Sequence, residues 1–142
     1  MSRIDSQRAP EPVGAYPHAR RVGNLLFLSG IGPRVRGSRE IPGVRLRPDG
    51  TVESYDIEAQ CRSVFANVRA VLEEAGSSWE KLVDVTVFLT DLRRDFAAYN
   101  RSWAEHFKDV QPCRTTVEVT ALPTPIAIEL KVIANLEARE PG

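Results

Sequence analysis

The chain has 142 residues, 42% of them apolar and 27% charged, with Lys+Arg and Asp+Glu both at 19. That length suits one domain with one core, and the composition is that of an ordinary globular protein. A formal net charge of zero offers no basic excess for a nucleic-acid partner, and no apolar run is long enough to span a bilayer.

Residues 1 to about 12 are polar, carry Pro10 and Pro12, and are expected to form a flexible tail with little structure of its own. Arg20-Arg21-Val22, Gly23-Asn24 and Leu25 to Ser29 predict a β-hairpin closed by a Gly-Asn turn. Residues 30–55 are rich in glycine, proline and arginine (Arg34, Arg36, Arg39, Arg45 and Arg47). They predict a long loop with a short irregular hairpin around Asp49-Gly50, and a loop of that length in a small domain is usually functional or disordered. From Asp56 to Ala75, Ile57, Cys61, Val64, Phe65, Val68, Val71 and Leu72 recur at helical spacing, with Gly76 placed to end the helix. Leu82 to Thr90 alternates as a strand with Val83, Val85, Val87 and Leu89 on one face. Asp91 to Lys108 predicts a second helix with Phe96, Tyr99, Trp103 and Phe107 as an aromatic stripe, which serves packing in most proteins. Two strands follow, residues 113–119 and 126–133, separated by Leu122-Pro123. The order is ββ, loop, α, β, α, ββ. It predicts an α+β domain over residues 1–142, a mixed sheet with two helices on one face.

Chemistry concentrates in the last two strands. On alternating faces, Arg114, Thr116 and Glu118 point one way and Thr115, Val117 and Val119 the other. In the final strand Ile126, Ile128, Leu130 and Val132 form an apolar face and Glu129 projects opposite. A guanidinium fork matches a carboxylate bidentately, and a carboxyl group beside it can move protons. The same spacing also describes a solvated ion pair, worth little. Cys61 and Cys113 stand in no metal or redox spacing. They read as free thiols of a cytoplasmic chain without a signal peptide. His18 and His106 make no metal site by themselves. His18, two residues after Tyr16, is a candidate for the pocket wall.

Residues Arg114 to Ile133 resemble the C-terminal signature of the RidA/YjgF family of enamine and imine deaminases. That signature is an Arg-[Ser/Thr]-x-Val-Glu-Val strand, a Leu-Pro bend, then an Ile-Glu-[Ile/Leu] strand. Gly14-Ala15-Tyr16, Leu28-Ser29-Gly30, the helix end Ala75-Gly76, and Val85 to Leu89 with Asp91-Leu92 and Tyr99-Asn100 match in order. The resemblance spans roughly residues 10 to 135. It implies the chorismate-mutase-like YjgF fold, a ring-shaped homotrimer with active sites in the clefts between subunits, and hydrolysis of an enamine or imine acid without a metal or redox cofactor. Arg114 is then the substrate anchor and Glu129 the water-positioning and proton-relay group. Tyr16, Ser29, Gly30, Asn100, Thr116 and His18 are expected to bind substrate.

The chain departs from the commonest pattern of that family. Thr116 stands where a Cys is frequent, Ile31-Gly32-Pro33 replaces Gln-Ile-Pro, and the loop from Arg34 to Tyr55 is longer and arginine-rich. These features look like the 2-aminomuconate deaminase branch. A diacid such as 2-aminomuconate needs a second cation, which Arg20, Arg21 or a loop arginine could supply. A generic 2-aminoacrylate deaminase and a non-catalytic metabolite-binding protein are the alternatives. The charge balance speaks against a nucleic-acid partner.

Overall fold

The structure is a computed structural model that describes residues 2–137; Met1 and residues 138–142 of the expected domain lie outside it. Six strands form one sheet in the order β1-β2-β3-β8-β6-β7, and a separate hairpin pairs β4 with β5. The strands are β1 (Arg3–Ile4), β2 (Ala19–Val22), β3 (Leu25–Leu28), β4 (Val44–Leu46), β5 (Val52–Tyr55), β6 (Leu82–Leu89), β7 (Cys113–Glu118) and β8 (Ile128–Asn135). Two helices, α1 (Ile57–Glu74) and α2 (Leu92–Phe107), cover one face. This is the α+β arrangement expected of the sequence.

The helices begin and end where local chemistry places them. Asp56 accepts from the Glu58 and Ala59 N–H groups at the start of α1, and Asp91 accepts from Arg94 N–H at the start of α2. Past the end of α1, Gly76 sits at φ 82°, in the left-handed region. The apolar face of α1 packs on Ile128, Leu130, Val132 and Ala134 of β8 and on Val85, Val87 and Leu89 of β6, all of them buried. Complete burial of such side chains is worth about 1.5–3 kcal/mol each. Phe65, Trp79, Trp103 and Phe107 form an aromatic cluster in the same layer, with Trp103 and Phe107 stacked at 3.7 Å.

β6 runs parallel to β7, as the intervening helix permits, and antiparallel to β8. The register shifts between Leu82 and Asp84. Leu82 is therefore buried and Val83 exposed, so Val83 leaves the face it was expected to share with Val85. β7 and β8 are consecutive in sequence but are not neighbours, because β6 lies between them.

The first dozen residues correct the expectation of a flexible tail. β1 pairs with β2, and Ser6, Ala9 and Pro10 are buried. The segment is held by side chains far away in sequence. Ser6 Oγ and Gln7 N–H donate to Glu74, Ser6 N–H donates to His18 Nδ1 at 2.9 Å, and Arg36 Nη1 donates to the Ser6 and Ala9 carbonyls. The long loop contains the expected irregular hairpin, with a bulge between Arg45 and Leu46. Gly43, just before β4, lies against the start of α1 at φ 70°; a Cβ there would lie 2.8 Å from the Asp56 carbonyl oxygen.

Candidate functional site

The expected site residues fall into two groups. The first surrounds Arg114 on β7. Arg114 Nη1 donates to Asn100 Oδ1 on α2 at 2.9 Å. Its guanidinium carbon stands 5.0 Å from the Trp103 ring centre and 5.3 Å from that of Tyr99. Cation–π attraction and the Asn100 bond hold the planar fork while leaving other N–H donors for a ligand. Tyr99 OH bonds Thr116 Oγ1 at 2.8 Å, and burial pushes the phenol pKa up, so it stays a neutral hydrogen-bonding group. Glu118 Oε1 accepts from Leu92 N–H, which ties the end of β7 to the start of α2. Arg114 opens onto a cleft of about 420 Å³ that Asn100, Trp103, Lys108 and Gln111 also line.

The second group surrounds Glu129 on β8. Its carboxylate is half-buried against Gly30; a Cβ on Gly30 would lie 2.9 Å from Oε2. Only a glycine lets the carboxylate occupy that position. Burial alone raises the Glu129 pKa, and among the described residues no ion-pair partner offsets it. Lys131, on the same face, donates to the Leu28 carbonyl, and burial lowers its pKa. Tyr16, Ser29, Gly30 and His18 line a small pocket beside this group together with Arg34. Ser29 Oγ donates to the Pro17 carbonyl at 2.7 Å, and Tyr16 OH accepts from Val13 N–H at 3.2 Å.

His18, expected at the pocket wall, lines the small pocket and also ties down the N-terminal segment. It is buried, its Nδ1 accepts from Ser6 N–H, and its Nε2 donates to the Pro10 carbonyl at 2.8 Å. Both ring nitrogens are spent on holding the N-terminal segment.

The two groups do not meet within one chain. Val85 is in register with both Arg114 and Val132, whereas Phe88 is in register with both Val117 and Glu129. Residues directly opposite one another share a face. Arg114 therefore stands on the face that carries α2, and Glu129 on the face that the helices leave open. Phe27, Thr86, Phe88, Val117 and Ile133, each at least partly exposed, share the open face. A cleft of about 890 Å³ between residues 35–46 and the end of β5 contains neither Arg114 nor Glu129 nor any residue expected to bind substrate beside them.

The aromatic bed under Arg114 was missed as part of the site. Its only signal was the Tyr99–Trp103 stripe, which packing also explains. Among the described residues no group of three or more His, Cys, Asp or Glu side chains converges as a metal site. No helix among them is long and apolar enough to cross a membrane. Cys61 is buried, with its thiol pushed up to about 12 by burial, and Cys113 is exposed, each as a free thiol.

The family model described as Endoribonuclease L-PSP matches residues 6–136. The chain belongs to the RidA/YjgF/L-PSP family. A RutC family protein of Pyrococcus abyssi is 39% identical over 135 residues, covering 94% of this chain and 96% of the relative. The YjgF gene product of E. coli superposes with a TM-score of 0.82 at 31% identity, over 96% of this chain and all of the other. E. coli TdcF, solved with bound serine, superposes with a TM-score of 0.81 at 32% identity, over 95% of this chain and 98% of the other. The expected YjgF-like fold is therefore the observed one, and family members are generically enamine and imine deaminases.

Proposed function

We propose that the protein is a hydrolytic deaminase of an enamine or imine carboxylic acid, with 2-aminomuconate as its substrate, converted with water to 4-oxalocrotonate and ammonia. Arg114 holds a carboxylate through its fork. Glu129 protonates the enamine carbon, turning it into an imine, and then orients the water that adds to the C=N carbon. The Glu129 carboxylate takes a proton from that water as it adds and passes it to the amine nitrogen, and it recovers the hydroxyl proton as the C–N bond breaks, the carbonyl forms and ammonia leaves. The observation that carries this reading is Glu129 itself, a carboxyl group half-buried against Gly30 whose pKa is raised by burial alone. An acid that shuttles protons near neutral pH needs that kind of shift, and simple carboxylate binding does not.

The reading includes assembly. Since Arg114 and Glu129 lie on opposite faces of one sheet, the working site pairs Arg114 of one subunit with Glu129 of the next in a homotrimer. The partly apolar open face and the unpaired edge of β7 support such an interface. The finer choice of 2-aminomuconate rests on the departures from the commonest family pattern and on the need for a second cation.

The test is ammonia release from freshly generated 2-aminomuconate and, separately, 2-aminoacrylate, with and without the protein. Release no faster than spontaneous hydrolysis with both acids would reject the deaminase reading. Acceleration with 2-aminoacrylate alone would reject the diacid. The bound serine in E. coli TdcF favours, as a second reading, a protein that binds small amino or imino acids without turning them over. Saturable binding without ammonia release would support it.

A further inference from the structure

Arg114 can hold one carboxylate, and the cleft it lines, about 420 Å³, has room for more than that group. Lys108, at the C-terminal cap of α2, and Gln111 line the same cleft. Gln111 Nε2 reaches the Lys108 carbonyl at 3.5 Å, so the short link between α2 and β7 folds back on itself, and Pro112 leads it into the strand. Lys108 is exposed and makes no ion pair among the described residues.

Most of the arginines that the sequence offered as second anchors have partners elsewhere, and Arg39 lines a different cleft, between residues 35–46 and the end of β5. Arg34 donates to the Glu11 carbonyl, and Arg36 binds the Ser6 and Ala9 carbonyls and the Glu11 carboxylate. Arg45 pairs with Glu53, Arg47 donates to the Val52 carbonyl, Arg20 to Ser2 and Arg21 to the Gly23 carbonyl. None of them lines the Arg114 cleft. They staple the N-terminal segment and the hairpin.

We infer that Lys108 is the second cation of the ligand site, and that the cleft between it and Arg114 selects acids carrying two carboxylates. The inference deepens the deaminase reading and rests on it for the reaction, but not for the binding. A lysine at a helix C-terminus also interacts favourably with the helix dipole. That role would affect folding and every ligand alike, whereas an anchor acts on the second carboxylate alone.

The experiment uses the whole protein and two inert six-carbon probes, adipate and hexanoate, titrated calorimetrically at low ionic strength. Adipate should bind about two- to fivefold tighter than hexanoate, the upper part of the range of a solvent-exposed ion pair. Lys108→Ala should bring the ratio of the two affinities close to one, and Lys108→Arg should restore it. High salt should erode the ratio in the parent, because the pair is exposed. Equal binding of the two probes by the parent, or an unchanged ratio in Lys108→Ala, overturns the inference. So does a parallel loss of both affinities together with a lower melting temperature. No turnover is measured, so failure of the deaminase reading leaves this result standing, and failure here leaves the ammonia assay standing.

Discussion

If the working site joins Arg114 of one subunit to Glu129 of another, two inactive variants should repair each other. Arg114→Ala removes a bidentate, charge-assisted contact. At roughly 1.5–3 kcal/mol for each of two hydrogen bonds, the loss is about 3–6 kcal/mol, or roughly 10²–10⁴ in kcat/KM. Glu129→Gln keeps the shape of the side chain but cannot exchange a proton, a loss of about 10²–10⁴ in kcat. Each variant alone is close to dead. In oligomers assembled at random from equal amounts of the two, a site is whole when one subunit brings intact Arg114 and its neighbour intact Glu129. After selection for assemblies that hold both variants, about one third of the sites regain full function in a mixed trimer and about one half in a mixed dimer. The assay is ammonia release after the differently tagged variants are unfolded together, refolded and purified through both tags. The opposite-face geometry comes from the shared registers at Val85 and Phe88. Mixed oligomers that remain inactive would refute the composite site.

Glu129→Gln should also leave the fold at least as stable as the parent at pH 7. The folded pKa of Glu129 is raised by burial, so the group favours the fold at acid pH and that contribution is lost as the pH rises through the folded value. Above it the ionised carboxylate opposes folding. Melting temperatures at pH 7 and pH 4 check this, with any advantage of the variant confined to pH 7. Arg114→Lys should be nearly as inactive as the alanine variant in steady-state kinetics, since an ammonium is a point charge without the planar fork that stacks near Trp103 and Tyr99. Tyr55→Phe removes the 2.5 Å hydrogen bond to Asp95, which is only 2% exposed. It should cost about 1–3 kcal/mol in denaturant unfolding at pH 7. Burial raises the Asp95 pKa, so the penalty should shrink as acid protonates that carboxyl.

Much of the fold was legible because its signals are local. Asp56 and Asp91 mark helix starts by bonding their own next turns, and Gly76 marks an end. Strict alternation in Ile128 to Val132 assigns the buried face of β8 and thereby places Glu129 opposite it. β7 carries no such signal. Val117 and Val119 would be the natural core-facing set, yet Val117 is 38% exposed and it is Arg114 and Thr116 that meet α2. The N-terminal segment likewise shows no periodicity, and its order comes from His18, Arg36 and Glu74, which the chain brings back from 12 to 68 residues away.

The sequence by itself determined the family, the helices, the strands after β1 and the chemical types of the site, since these depend on neighbours a few residues apart and on motifs in a set order. Tertiary structure alone decided where those groups stand. By inserting β6 between β7 and β8, parallel to one and antiparallel to the other, the sheet sends Arg114 and Glu129 to opposite faces. Which face a strand turns to the helices follows from pairings between residues far apart in the chain, and no local pattern encodes them.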